Sequence, residues 1–183
     1  MAHPEQKDFC ERVRAHNPSY FVGKRVLDVG SLDINGNNRF LYIDSVHIGI
    51  DIGPGPNVDV VCLGHEYNEP DGSFDAIIST ECFEHDMHYE KTIKNIIRLL
   101  APGGMFIFTC ATTGRPEHGT SRSDGGVNAP LLAAHGEWSD YYKNLAEEDI
   151  RAVIDVDAIF SDYKFENNLD PKVCDLYFYG IKK

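Results

Sequence analysis

At 183 residues the chain is long enough to bury a core as one domain without staples. Its 17 basic and 29 acidic side chains leave a net charge of −12, which argues against a polyanion partner because phosphate contacts dominate nucleic-acid affinity. Arg12, Arg14, Lys24 and Arg25 leave room only for a local basic patch. The five cysteines (Cys10, Cys62, Cys82, Cys110, Cys174) are odd in number and contain no Cys-x-x-Cys, as expected for a reduced chain. No long apolar segment or signal-peptide pattern is visible, so no membrane partner and a cytoplasmic location are expected.

In chain order, Pro4 to His16 predicts a helix, with Pro at its start, Phe9 and Val13 four apart, and Asn17-Pro18-Ser19 ending it. Val26, Leu27 and Val29 predict a buried strand over 25–30, interrupted by Asp28 and turned by Gly30. Asn35 to Ile43 follows as a short helix, then strands at Val46–Asp51, Val58–Cys62 and Phe74–Ser79. Between Asp86 and Leu100, Tyr89, Ile93, Ile96, Ile97 and Leu100 form one apolar helical face. Pro102-Gly103-Gly104 stops it before a strand at Met105–Cys110. Asn144, with Glu147 three residues on, predicts the cap of a last helix, and strands near 156–163 and 173–181 close the chain. Strands alternating with helices predict a doubly wound α/β domain.

Ligands of such sheets bind beyond the carboxyl ends of the strands, where Gly30 admits a close approach. Asp51 ends the second strand about 20 residues later, where a carboxylate can accept both hydroxyls of a ribose. A dinucleotide would require Gly-x-Gly-x-x-Gly, but the run here is Gly30-Ser31-Leu32-Asp33-Ile34-Asn35-Gly36. The middle glycines are missing and Asp33 would repel a diphosphate, so a nucleoside cofactor without phosphate fits better.

Val-Leu-Asp-Val-Gly-Ser at 26–31 resembles motif I of the class I S-adenosylmethionine-dependent methyltransferases, of the small bacterial type. Gly49-Ile50-Asp51-Ile52 resembles the second motif. Phe74 to Glu81, with Glu84-His85, resembles motif IV and its extension, and Leu99 to Gly104 resembles the step into strand five. Two positions depart from the pattern: Leu32 replaces the usual second glycine, and Leu63-Gly64 replaces the acid that commonly faces adenine.

The resemblance implies a mostly parallel, seven-stranded Rossmann-like sheet with a C-terminal antiparallel hairpin. It implies one methyltransferase domain over 1–183: an N-terminal helix (1–24), a cofactor-binding core (25–110), a substrate lid (111–143) and a C-terminal helix and strands (144–183). S-adenosylmethionine is the implied cofactor and S-adenosylhomocysteine the product. Gly30 and Ser31 would lie under the methionine end, with Asp28 orienting the loop or meeting the amino group. Asp51 would bind the ribose, Ile52 one adenine face, and Leu63 and Gly64 the other. Ser79, Thr80 and Glu81 would border the methyl group, and helix N–H groups after Gly36 would meet the cofactor carboxylate.

The expected reaction is methyl transfer to an oxygen or nitrogen of a small-molecule acceptor; the alternative is a non-catalytic nucleoside-binding or interaction domain. Candidate bases are Glu81, His85 and His118. His135, Trp138, Tyr141 and Tyr142, on the long loop 111–143, are the expected acceptor contacts, since loops of such length in a compact domain are usually lids. Glu81, His85 and His88 share a helical spacing that a metal could use, but no metal site is expected.

Overall fold

The computed structural model describes residues 3–183. Helix α1 (Pro4–His16) begins at Pro4, as its sequence predicts, with Nδ1 of the preceding His3 3.1 Å from the Glu5 carboxylate. The sheet comprises β1 (Arg25–Val29), β2 (Val46–Asp51), β3 (Val60–Val61), β4 (Phe74–Thr80), β5 (Leu100–Ala111), β6 (Phe160–Asn168) and β7 (Asp175–Lys182). Its order is β3-β2-β1-β4-β5-β7-β6, parallel throughout β1 to β5 and antiparallel at β7 with both neighbours. The seven-stranded sheet and its terminal hairpin are therefore both present. The chain leaves β1 in one direction and reaches β4 in the other, and this reversal opens a crevice at the strands' carboxyl ends.

Strand alternation sorts the core into two layers. Phe106 and Phe108 of β5 join Phe83, Phe178 and the buried face of α2 (Tyr89–Leu99), namely Ile93, Ile96 and Leu99. Met105 and Ile107 turn the other way, toward Phe9 and Val13 of α1, Phe21 and Leu41. On β1, Leu27 and Val29 face the first layer and Val26 the second. Asp28, two residues from Val26, therefore lies on the α1 side at the strand's open end.

Several elements differ from the sequence expectation: β3 is only Val60–Val61, and β5 already starts at Leu100, so Pro102-Gly103-Gly104 lies within the strand instead of ahead of it. No α-helix follows Gly36; only a 3₁₀ turn forms at Arg39–Leu41. Asp33 is the reason: its carboxylate accepts the Gly36 amide and the Asn37 side chain, at 2.7 and 2.8 Å, a local turn that competes with helix. The anion site expected at that helix start is accordingly absent. Asn144 does not cap the last long helix, α3 (Glu147–Val153): its side chain donates to the Arg115 carbonyl, and Asp149 accepts the Ala146 amide instead. The β6 strand starts later than expected, because Asp155 caps a short helix α4 (Val156–Ile159) through the Ala158 amide.

Helix α1 is pinned at its start by charge. His3 Nε2 lies 2.8 Å from Asp175 and 3.5 Å from Glu81, two buried carboxylates. Burial works against the charged ring, but these partners raise its pKa to about 10, from 6.5. A raised histidine stabilises the fold fully below pH 6.5 and loses that contribution as pH climbs through 10. His3→Gln is expected to lower the melting temperature by roughly 3–6 °C at pH 6 and to flatten its fall between pH 6.5 and 10. Scanning calorimetry across that range checks both effects.

Candidate active site

A cleft of about 960 Å³, counted to its open mouth, lies over the carboxyl ends of β1, β2 and β4. Gly30 forms its floor. Its φ of +78° suits glycine, and a Cβ there would collide with Cys82. The adjoining loops are laced together: Ser31 donates its hydroxyl to the Asn57 carbonyl, and Asn57 donates its side-chain amide to the Ser31 carbonyl.

Asp51 stands at the end of β2 with its carboxylate oriented by two backbone amides. Leu32 donates to Oδ2 at 2.9 Å and Ile52 to Oδ1 at 2.8 Å. Each oxygen keeps a further lone pair, and the residue lines the cleft. Leu32, the departure in motif I, contributes through its amide, while its side chain lies against Gly55. The missing glycine thus leaves the Asp51 geometry intact.

Asp28 reaches the cleft beneath this loop and accepts hydrogen bonds from Asn38 at 3.3–3.4 Å. Asn38 also donates to Thr80 at 3.1 Å, joining β1 to β4. Among the other residues named from sequence, Ser31, Ile52, Gly64, Thr80, Glu81, His85 and Trp138 line the cleft. Ser79 lies beneath it, fully buried, with its hydroxyl donating to the Val29 carbonyl. Cys62 and Gly64 flank the cleft where Leu63 was expected to contribute. His135 and Tyr141 lie on the lid away from its walls.

The lid, 111–143, folds over the cleft with no α-helix; its only regular pieces are 3₁₀ turns at Leu132–Ala134 and Gly136–Asp140. Asp124 organises it by accepting from the Gly119 amide at 2.8 Å and the Asn128 side chain at 2.6 Å. The segment Asn128 to Leu132 reaches the cleft, with Leu131 against Gly53 beyond β2. Composition could not single out these residues, because nothing local marks which part of a long loop turns inward. Trp138 packs edge-on against His88, at 5.5 Å between ring centres.

At the β4 end the backbone itself is strained: Glu81 adopts φ +52°, unusual for a side chain with a Cβ. Its carboxylate is already engaged, accepting from Thr109 at 2.8 Å and lying close to His3. Burial opposes ionisation, but the His3 partner holds Glu81 below the usual carboxylate range. It is therefore charged and occupied, a poor candidate base. His88 turns away toward His65 and Trp138, so the Glu81, His85, His88 spacing does not gather one site.

A different group does gather. Donor atoms of Glu84, His85 and His118 all lie within 4.8 Å of one another. His85 and His118 meet edge to face, ring centres 5.0 Å apart, with Tyr142 completing a triangle at 5.5 and 5.0 Å. Burial, then the neighbouring His118, lowers His85 to about 3, and burial lowers His118 as well. Both rings are neutral at pH 7. The Glu84-His85 pair was visible in the motif IV extension, but its meeting with His118 depends on how the lid folds.

A family model described as a methyltransferase domain matches residues 42–108. No curated protein matches the chain by sequence. Among solved structures, 1,6-didemethyltoxoflavin-N1-methyltransferase of Burkholderia thailandensis superposes with a TM-score of 0.65 at 16% identity, over 97% of this chain and 78% of that one. The chain has the class I methyltransferase fold. Phosphoethanolamine N-methyltransferase 2 of Haemonchus contortus superposes with a TM-score of 0.64 at 18% identity, over 96% of this chain and 52% of that one. The CurJ carbon methyltransferase gives 0.57 at 16%, over 88% and 49%. The chain thus spans about half the length of the latter two.

Burial raises the Asp28 carboxyl to about 7; the Asn38 hydrogen bond opposes that shift and the Asp51 charge adds to it. Unfolded, the group titrates near 3.8. Between those values the folded protein holds a proton that the unfolded chain has lost, so stability falls as pH rises and levels off above 7. Asp28→Asn is expected to remove that fall and to raise the melting temperature at pH 8 by several degrees, with little gain at pH 4. Thermal unfolding of both proteins at the two pH values checks it.

Proposed function

We propose that the chain transfers the methyl group of S-adenosylmethionine to an oxygen or nitrogen of a small-molecule acceptor bound under the lid. The observation that carries this reading is Asp51, a carboxylate pre-oriented by two backbone amides at the edge of the cleft over β1, β2 and β4. Its spare lone pairs suit the two hydroxyls of a ribose. Gly30 lets the methionine end approach the β1 backbone, Asp28 faces the place of a ligand ammonium, and Ile52, Cys62 and Gly64 form slots for a flat base. The cofactor, when bound, supplies a methyl group already activated on a positively charged sulfur.

Little covalent work then falls to the protein. Its residues must hold the acceptor in line, exclude water and accommodate an acceptor proton where there is one. The lid segment Asn128–Leu132 and Trp138 close the cleft on one side. His85, neutral and lining the cleft, presents ring nitrogens with no protein partner, and His118 lies beside it. These two rings, not the occupied Glu81, face the acceptor in this reading. His135, Tyr141 and Tyr142 support the lid that carries them.

The net charge of −12 favours a small acceptor over a nucleic acid. Among the described residues no helix is long and apolar enough to cross a membrane. All five cysteines are free, which fits a reducing, cytoplasmic setting.

Calorimetric titration with S-adenosylmethionine and S-adenosylhomocysteine tests the reading. Micromolar binding of both is expected, weakened roughly 100-fold or more in Asp51→Ala, which removes two charge-assisted hydrogen bonds. Failure of folded protein to bind either ligand would overturn it, leaving a binding domain for a different partner.

A further inference from the structure

The Glu84 side chain is fully buried, and neither of its carboxylate oxygens has a hydrogen-bond partner. Such a group is costly unless something cationic or hydrogen-bonding meets it. Both ring nitrogens of His85, itself 7% exposed, are likewise without a partner. His118 Nδ1 lies 3.1 Å from the Pro116 carbonyl, so Nδ1–H donates there and the lone pair sits on Nε2. That Nε2 is also buried and without a partner. The backbone enforces the meeting: Gly119, φ +71°, lies so close to His85 that a Cβ would approach its Cε1 to 2.6 Å.

We propose that Glu84, His85 and His118 bind one divalent transition-metal ion at the acceptor end of the cleft. One carboxylate and two neutral imidazoles form an N₂O set that suits Zn²⁺, Fe²⁺, Co²⁺ or Mn²⁺ better than Mg²⁺ or Ca²⁺, which favour oxygen ligands. Donors around a tetrahedral ion at ~2.1 Å are ~3.4 Å apart. The three, now within 4.8 Å, need only small side-chain rotations to close on it. The Pro116 carbonyl then plays the outer-shell part that fixes a ligand histidine's tautomer.

The second acidic cluster, His3 with Glu81 and Asp175, shows the contrast. There His3 pairs with both carboxylates, Arg115 donates to Asp175 at 3.2 Å, and Thr109 donates to Glu81. There two cations stand at ion-pair distance from the carboxylates, although His3 Nε2 and Glu81 Oε2 make no well-aligned hydrogen bond. Glu84 has no such answer.

His85 lines the cleft, so the ion keeps an open position toward it. Its use there rests on the methyltransferase reading. An acceptor hydroxyl bound at that position loses its proton to water more readily. The oxygen lone pair then forms the new O–CH₃ bond as the S–CH₃ bond breaks, leaving a neutral thioether.

The test is titration of untagged, chelator-stripped protein with Co²⁺, followed by its visible absorption, and with Mn²⁺, followed by electron paramagnetic resonance. Mg²⁺ serves as comparator. One equivalent of Co²⁺ is expected to bind, weakened roughly 100-fold in Glu84→Gln and in His118→Ala. Glu84→Gln keeps the side-chain shape and His118 lies on the lid, and a cooperative thermal unfolding transition in both metal-free variants shows that they fold. Wild-type protein that binds S-adenosylhomocysteine but no metal, or variants that take up Co²⁺ as wild type does, would overturn the metal site and leave the methyltransferase reading standing. Metal binding lost in both variants, with no binding of S-adenosylmethionine or its product, would uphold the site and sink that reading.

Discussion

The hydrogen bonds from the Leu32 and Ile52 amides to Asp51 are the constraint on which the β1–β2 end of the cleft depends. They tie the loop after β1 to the end of β2 and aim one carboxylate at the cleft. An aspartate free to rotate would lose rotamer entropy on meeting a ligand, whereas this one has lost it on folding. The same tie explains why a leucine is accepted where the family motif usually has glycine. The loop needs a backbone N–H at that position, and any residue but proline supplies one.

The far end of the cleft is governed by buried charge. Glu81, Glu84 and Asp175 crowd into one buried region, and the protein answers them unequally. His3 and Arg115 neutralise two of them and so fasten α1 and the lid to the sheet. Glu84 is left among neutral imidazoles. Burial, and the charge of Glu81 beside it, raise its carboxyl well above the usual range. A lone buried acid is a weak structural device, because replacing it with a packed apolar residue is often neutral or stabilising. Here it lies against two histidines, one of which, His85, lines the cleft.

The order of elements was legible because each β-strand or helix carries its own periodic signal. The apolar run Val26–Val29 and the face Tyr89, Ile93 and Ile96 are local patterns that formed where expected, while Leu99 takes the buried place expected of Leu100, which begins β5. Elements set by competition were not legible. Asn35 to Ile43 has the spacing of a short helix, yet Asp33 captures its first amides in a turn. Asn144 is a good cap by type but spends its side chain on the Arg115 carbonyl, 29 residues back.

From the sequence alone came the fold class, the strand order implied by its motifs, and the placing of Gly30 and Asp51 at strand ends that line one cleft. Gly30 and Asp51 belong to strand ends, and a strand end's place in a parallel sheet follows from the alternation of elements. The meeting of His85 with His118 was decided only in three dimensions. His85 leaves β4 and His118 rides on the lid, and what joins them is a glycine's close approach and a turn organised by Asp124. Such contacts depend on how a long irregular loop packs against the rest of the chain, and no periodicity records that.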